Sequence, residues 1–88
     1  MTERQPAATL RLGVIWGRNL RARRKALGLT QRQVAEVAGL TQQAVGHFEA
    51  GDHVPLDRTK VELARALGTN PSALFEWPPM EDLLGGAA

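Results

Sequence analysis

His47, Glu49, Asp52 and His53 fall within seven consecutive positions, a density of imidazole and carboxylate groups that could hold a metal ion or move protons. Their spacing matches no tetrahedral metal motif, the chain has no cysteine, and no Ser/His/Asp arrangement or phosphate-cradling glycine loop accompanies them. No metal, cofactor or catalytic centre is therefore expected. The cations point elsewhere. Residues 1–32 carry eight basic groups (Arg4, Arg11, Arg18, Arg21, Arg23, Arg24, Lys25 and Arg32) against Glu3 alone, whereas residues 33–88 carry three, Arg58, Lys60 and Arg65, against eight acidic ones. The formal net charge of +2 hides this asymmetry. A basic half of this kind suits a polyanion such as DNA, RNA or a membrane surface, and it equally suits a solvated helix face.

The elements that must position these groups are helical. Period-two alternation is absent, no Asn-Gly hairpin turn occurs, and Ala, Leu, Arg and Gln are abundant. An 88-residue chain has room for one modest core and not for a deep catalytic cleft. The lack of cysteine and of any apolar run of about 20 residues, together with a polar N-terminus, leads us to expect a soluble cytoplasmic protein with no membrane partner.

Five helices are expected. The first starts near Thr9 as N-cap, lines up Leu12, Trp16, Leu20, Arg24 and Leu27 on one face, and ends at Gly28. Gly13 and Gly17 each weaken it by about 1 kcal/mol relative to Ala. Thr30 and Gln33 form a capping box for a second helix that buries Val34, Ala35 and Ala38 and stops at Gly39. Thr41 caps a third, with Val45 and Phe48 inward and Gly51 at its end. A fourth runs from about Leu56 to Leu67 and buries Val61, Leu63, Ala64 and Leu67, and a fifth runs from Pro71 to Glu76 behind Asn70. The resulting division is a flexible arm at 1–8, a domain at 9–77, and a tail at 78–88 without order unless a partner holds it.

Two short helices, a tight turn at Gly39 and a third helix with a polar start make the layout of a helix-turn-helix, although any helical hairpin also needs a small residue like Ala35 at its crossing. Longer stretches extend the match. Leu20-Arg21-Ala22-Arg23-Arg24, Leu27-Gly28-Leu29-Thr30-Gln31, Val34-Ala35, Ala38-Gly39-Leu40-Thr41, Val45, Phe48-Glu49-Ala50-Gly51, Pro55 and Leu63-Ala64-Arg65-Ala66-Leu67-Gly68 follow one another in one collinear run. From about Trp16 to Phe75 the chain resembles the Cro/C1-type (xenobiotic-response-element) helix-turn-helix family, typified by lambdoid-phage repressors and Cro proteins.

The resemblance implies an all-α, compact, five-helix, lambda-repressor-like domain in which 41–50 is the recognition helix in the major groove of double-stranded DNA. It implies that Gln31, at a helix N-terminus where free amides favour an anion, holds a phosphate. It implies that Gln42 and Gln43 read bases, since a carboxamide sets a donor beside an acceptor as adenine N6 and N7 require. His47, one turn on, reads a base, contacts phosphate or simply faces solvent. Ala44 is small enough to touch a thymine methyl, and Gly46 permits close backbone approach. Arg21, Arg23 and Arg32, with Arg18, Lys25 and Thr41, are candidate phosphate contacts. Arg24, a charge in an apolar stripe, needs a carboxylate. The family pattern pairs it with Glu49 as structural support, direct DNA contact by Arg24 being the other reading.

One departure stands out. The loop after the recognition helix commonly carries Lys or Arg in this family, and here it is Asp52-His53, which repels phosphate and shifts weight to Gln31 and the first helix. The resemblance further implies a repressor acting as a homodimer on a pseudo-palindromic operator, with Leu74, Trp77 and Met80 at the interface. The other readings are an antitoxin holding a toxin through Trp77–Leu84, and an adaptor that binds only protein.

Overall fold

The computed structural model describes the backbone of residues 7–84 and the side chains of residues 11–84. Six helices follow one another: α1 (Ala7–Ala26), α2 (Gln31–Ala38), α3 (Gln42–Ala50), α4 (Asp57–Ala66), α5 (Pro71–Leu74) and α6 (Met80–Leu83). No strand occurs among the described residues, and no helix there is long and apolar enough to cross a membrane.

The signals at the helix ends act as their chemistry requires. Thr30 Oγ1 accepts from the Gln33 amide at 3.1 Å while the Gln33 side chain accepts from the Thr30 amide at 2.8 Å, closing the capping box of α2. Thr41 Oγ1 accepts from the Ala44 amide at 3.0 Å at the start of α3. Gly39 and Gly51 take φ of 72° and 83°, the left-handed turn that ends α2 and α3 without a Cβ penalty. Arg23, Arg24 and Lys25 occupy the last turn of α1, where cations complement the helix dipole.

The core gathers Leu12, Trp16 and Leu20 of α1 with Val34, Ala35 and Ala38 of α2, Val45 of α3, and Leu63, Ala64 and Leu67 around α4. Two expected core residues lie outside it. Leu27 is exposed because α1 stops at Ala26, and the turn at Gly28 carries Leu27 off the stripe. Val61 is exposed on the flank of α4, and Lys60 takes the inward place instead, with its ammonium 4.2 Å from the Trp16 ring centroid.

The helix count differs from five because the segment after Pro79 folds. In α6, Leu83 is 4% exposed in the core, and its carbonyl accepts from Arg11 Nη1 at 3.0 Å. The first helix fastens the preceding segment as well. Asn19 Nδ2 donates to the Leu74 carbonyl at 3.0 Å and Trp16 Nε1 to the Glu76 carbonyl at 2.8 Å. Trp16 also meets Phe75 and Trp77 edge-to-face at centroid distances of 5.7 and 5.6 Å. Residues 74–84, including most of the expected tail, are thus packed on α1. Residues 1–6 and 85–88, the rest of the expected arm and tail, lie outside the described residues, and α1 begins at Ala7 rather than near Thr9.

Candidate nucleic-acid interface

The outer face of α3 depends on how closely α1 crosses the C-terminal end of that helix. A Cβ at Gly17 would stand 2.5 Å from the Phe48 carbonyl oxygen and 2.6 Å from that of Glu49, and one at Gly13 would stand 2.8 Å from that of Gly51. These contacts are with backbone, so the two glycines set the separation of α1 and α3. Read by propensity alone they look like weak points. The missed signal was their spacing of four, which puts both on one row of α1.

A partly buried ion pair locks the crossing. Arg24 Nε and Nη2 donate to the two carboxylate oxygens of Glu49 at 2.6 and 2.9 Å, and Nη1 donates to the Leu29 carbonyl at 2.9 Å. The side chains are 12% and 4% exposed. The hydrogen bond to Glu49, reinforced by its charge, outweighs burial and holds the Arg24 guanidinium above its usual range. Arg24 is therefore engaged structurally, with its guanidinium directed at α3 and the turn before α2.

Glu49 has a further partner. Gln31 Nε2 donates to Glu49 Oε1 at 3.2 Å, which ties the first side chain of α2 to the carboxylate that anchors α3. Gly46 faces the Gln31 carboxamide, and a Cβ there would make only ordinary contact, at 3.6 Å from Gln31 Oε1. Gln31, Gln42, Gln43, Gly46 and His47 together line one open groove. The four polar side chains named as base or phosphate contacts are thus neighbours on one surface. Thr41, Ala44 and His53 continue it past His47. The hydroxyl of Thr41 serves the helix cap as acceptor and keeps its own hydrogen for a further partner.

The basic residues divide. Arg21 continues the row of Gly13 and Gly17 and is exposed, and Arg32 in the first turn of α2 is exposed as well. Arg23 is engaged elsewhere: its Nε donates to the Leu67 carbonyl at 3.0 Å and its Nη2 to that of Gly68 at 3.4 Å, satisfying the C-terminal end of α4. These contacts give Arg23 a structural place at the end of α4. Asp52 also has a partner, with Oδ2 3.2 Å from Nδ1 of His47. Among the described residues no group of three or more His, Asp or Glu is arranged to hold a metal ion.

The expected pairing residues do not share one environment. Leu74 is 3% exposed and belongs to the core, because α5 turns it toward α1 and α4, whereas Trp77 and Met80 are 67% and 66% exposed. The Trp77–Leu84 segment, on which a toxin-holding tail would depend, is fastened to α1 by Leu83 and Arg11.

Comparison with known proteins agrees with this geometry. A helix-turn-helix family profile matches residues 20–74. An uncharacterized HTH-type transcriptional regulator of Methanothermobacter thermautotrophicus is 43% identical over 49 residues, which are 56% of this chain and 71% of that protein. Among solved structures, the restriction-modification controller protein C.AhdI of Aeromonas hydrophila superposes with a TM-score of 0.70 at 36% identity, covering 72% of this chain and 96% of the other. The P22 c2 repressor in complex with the synthetic operator 9T superposes with a TM-score of 0.67 at 27% identity, covering 70% and 94%.

Proposed function

Because the chain belongs to the Cro/C1-type helix-turn-helix family of DNA-binding transcriptional regulators, we propose that it is a repressor that binds a pseudo-palindromic operator as a homodimer, with α3 in the major groove. The observation that carries this reading is the groove itself: Gln42, Gln43 and His47 of α3 and Gln31 of α2 lie side by side on one open surface, on a helix fixed by the Arg24–Glu49 pair. Gln42 and Gln43 offer adenine a donor and an acceptor each. Gln31 has one amide hydrogen on Glu49 and a second for a phosphate at the α2 N-terminus. Arg21, Arg32 and Thr41 add phosphate contacts that orient α3 and carry no sequence information of their own.

Homodimerisation on half-sites about 34 Å apart uses the exposed Trp77 and Met80, and Leu74 supports them from within the core. The P22 c2 repressor, solved with an operator, supports the repressor reading, and the similarity to an HTH-type transcriptional regulator of Methanothermobacter thermautotrophicus supports a regulator of transcription. The test is a mobility-shift titration on DNA from upstream of the gene across a salt series. Affinity well above that for random DNA, with a negative slope of log K against log salt, supports the reading. Equal affinity for both DNAs, or a flat salt dependence, sinks it. Light scattering of the complex tests the dimer, and one chain per operator contradicts it.

A further inference from the structure

An acidic residue directly after α3 is out of place on a DNA-facing surface, since its charge repels phosphate. Asp52 nonetheless sits where its Oδ2 is 3.2 Å from Nδ1 of His47. An ionised carboxylate only accepts hydrogen bonds, so this contact requires the proton on Nδ1. A neutral imidazole carries one N–H, and with that hydrogen on Nδ1 the second nitrogen, Nε2, is a lone-pair acceptor. The ring is held on another side by His53, whose centroid lies 5.1 Å away at an interplanar angle of 76°. The groups around the ring from α2 and from the start of α3 are the uncharged Gln31, Thr41, Gln42 and Gln43, while Glu49 of α3 is engaged by Arg24. Asp52 and His53 are therefore the titratable groups that face His47 among the described residues.

We propose that Asp52 is a specificity-determining residue: by accepting the Nδ1 hydrogen it selects the tautomer of the neutral His47 ring whose Nε2 is an acceptor, so that His47 takes a hydrogen bond from an exocyclic amino group, adenine N6 or cytosine N4, in the major groove. The inference rests on the operator-binding reading above. Guanine and thymine present only acceptors at the matching edges and set lone pair against lone pair. Asp52 thus weakens binding to DNA in general while sharpening the choice of base at one position.

Those opposite signs define the experiment. The operator selected by the wild-type protein is varied through all four base pairs at each position, and binding is measured by fluorescence anisotropy for wild type, Asp52→Ala, His47→Ala and the double variant. His47→Ala identifies the position that His47 reads. At that position Asp52→Ala lowers the preference for the amino-bearing base about fivefold, the scale of one hydrogen bond, while affinity for random duplex rises. Adding Asp52→Ala to His47→Ala leaves the base preference unchanged. A uniform gain in affinity in Asp52→Ala with base preference intact, or an effect of Asp52→Ala on base preference that persists without His47, overturns the proposal alone. A chain that selects no sequence overturns it together with the operator-binding reading.

Discussion

Gly17→Ala opposes two physical effects of different sign. In an isolated helix the change gains about 1 kcal/mol, because glycine is the poorer helix former. In this fold the added Cβ meets the Phe48 and Glu49 carbonyl oxygens at 2.5 and 2.6 Å. An ordinary carbon–oxygen contact is about 3.3 Å, so α1 and α3 must separate by about 0.8 Å. Both obstacles are backbone atoms at the end of a helix locked by Arg24, so no side chain can swing aside. Overpacking of this kind costs about 1–3 kcal/mol, which leaves a net loss of up to about 2 kcal/mol after the helix gain. For a domain of this size that lowers Tm by several degrees, at about 4–8 °C per kcal/mol. Gly46→Ala is the internal control, since it makes the same propensity gain and its Cβ finds only ordinary contact with Gln31. Thermal unfolding followed by circular dichroism should therefore lower Tm for Gly17→Ala and raise it for Gly46→Ala. A Gly17→Ala protein stabilised relative to wild type, as Gly46→Ala is expected to be, would refute the close crossing.

Other consequences follow from the same contacts. Glu49→Ala leaves Arg24 buried without its carboxylate and should cost about 3–5 kcal/mol in urea unfolding; an unchanged midpoint would contradict the pair. Because Arg24 is held above its usual range, the stability it contributes is complete below the unfolded-state value and is lost only as pH rises through the higher folded one. The Arg24 contribution should therefore be undiminished between about pH 7 and pH 9.5, and a marked fall in the stability of the protein from deprotonation of this group would contradict the assignment. Leu83→Ala should cost about 2–5 kcal/mol and alter Trp fluorescence, whereas a free tail would make it neutral. Arg21→Ala and Arg32→Ala should each reduce the slope of log K against log salt by about one, and Arg23→Ala should lower stability without changing that slope.

What could be read from the sequence was mostly local or single-residue chemistry. Thr30 with Gln33, Thr41, and the glycines at 39 and 51 mark their helix ends because capping depends on residues a few positions apart. Arg24 declared itself as a charge in an apolar stripe, and its partner came through the family pattern. What stayed hidden depends on contacts distant in the chain. Gly13 and Gly17 signify close approach only once α3 is known to cross them. Lys60 displaces Val61 from the inward face because Trp16 lies beneath its ammonium. Arg23 looks like its basic neighbours until the α4 carbonyls are found beside it. The segment containing α6 offers only Met80, Leu83 and Leu84 as apolar residues, too few to announce a packed element. Its order comes from Arg11, Trp16 and Asn19 of α1, more than 50 positions away.

Within the interface, Gln31, Gln42, Gln43 and His47 were legible as side-chain chemistry, but their meeting on one surface was not, since it requires the α2–α3 turn and the α1 crossing together. The Glu49 carboxylate shared by Arg24 and Gln31 shows how stability and recognition are joined: the group that fixes α3 also orients the side chain proposed to hold a phosphate.

The most direct measurement is to let the purified protein select from a pool of random duplexes, sequence what it binds, and repeat the selection with Gln42→Ala and Gln43→Ala. The expected result is a pseudo-palindrome bound at least about 1,000-fold more tightly than random DNA, with each substitution relaxing the choice at its own position in both half-sites. A selected pool no different from the input, or one whose sequence is untouched by either substitution, would contradict it.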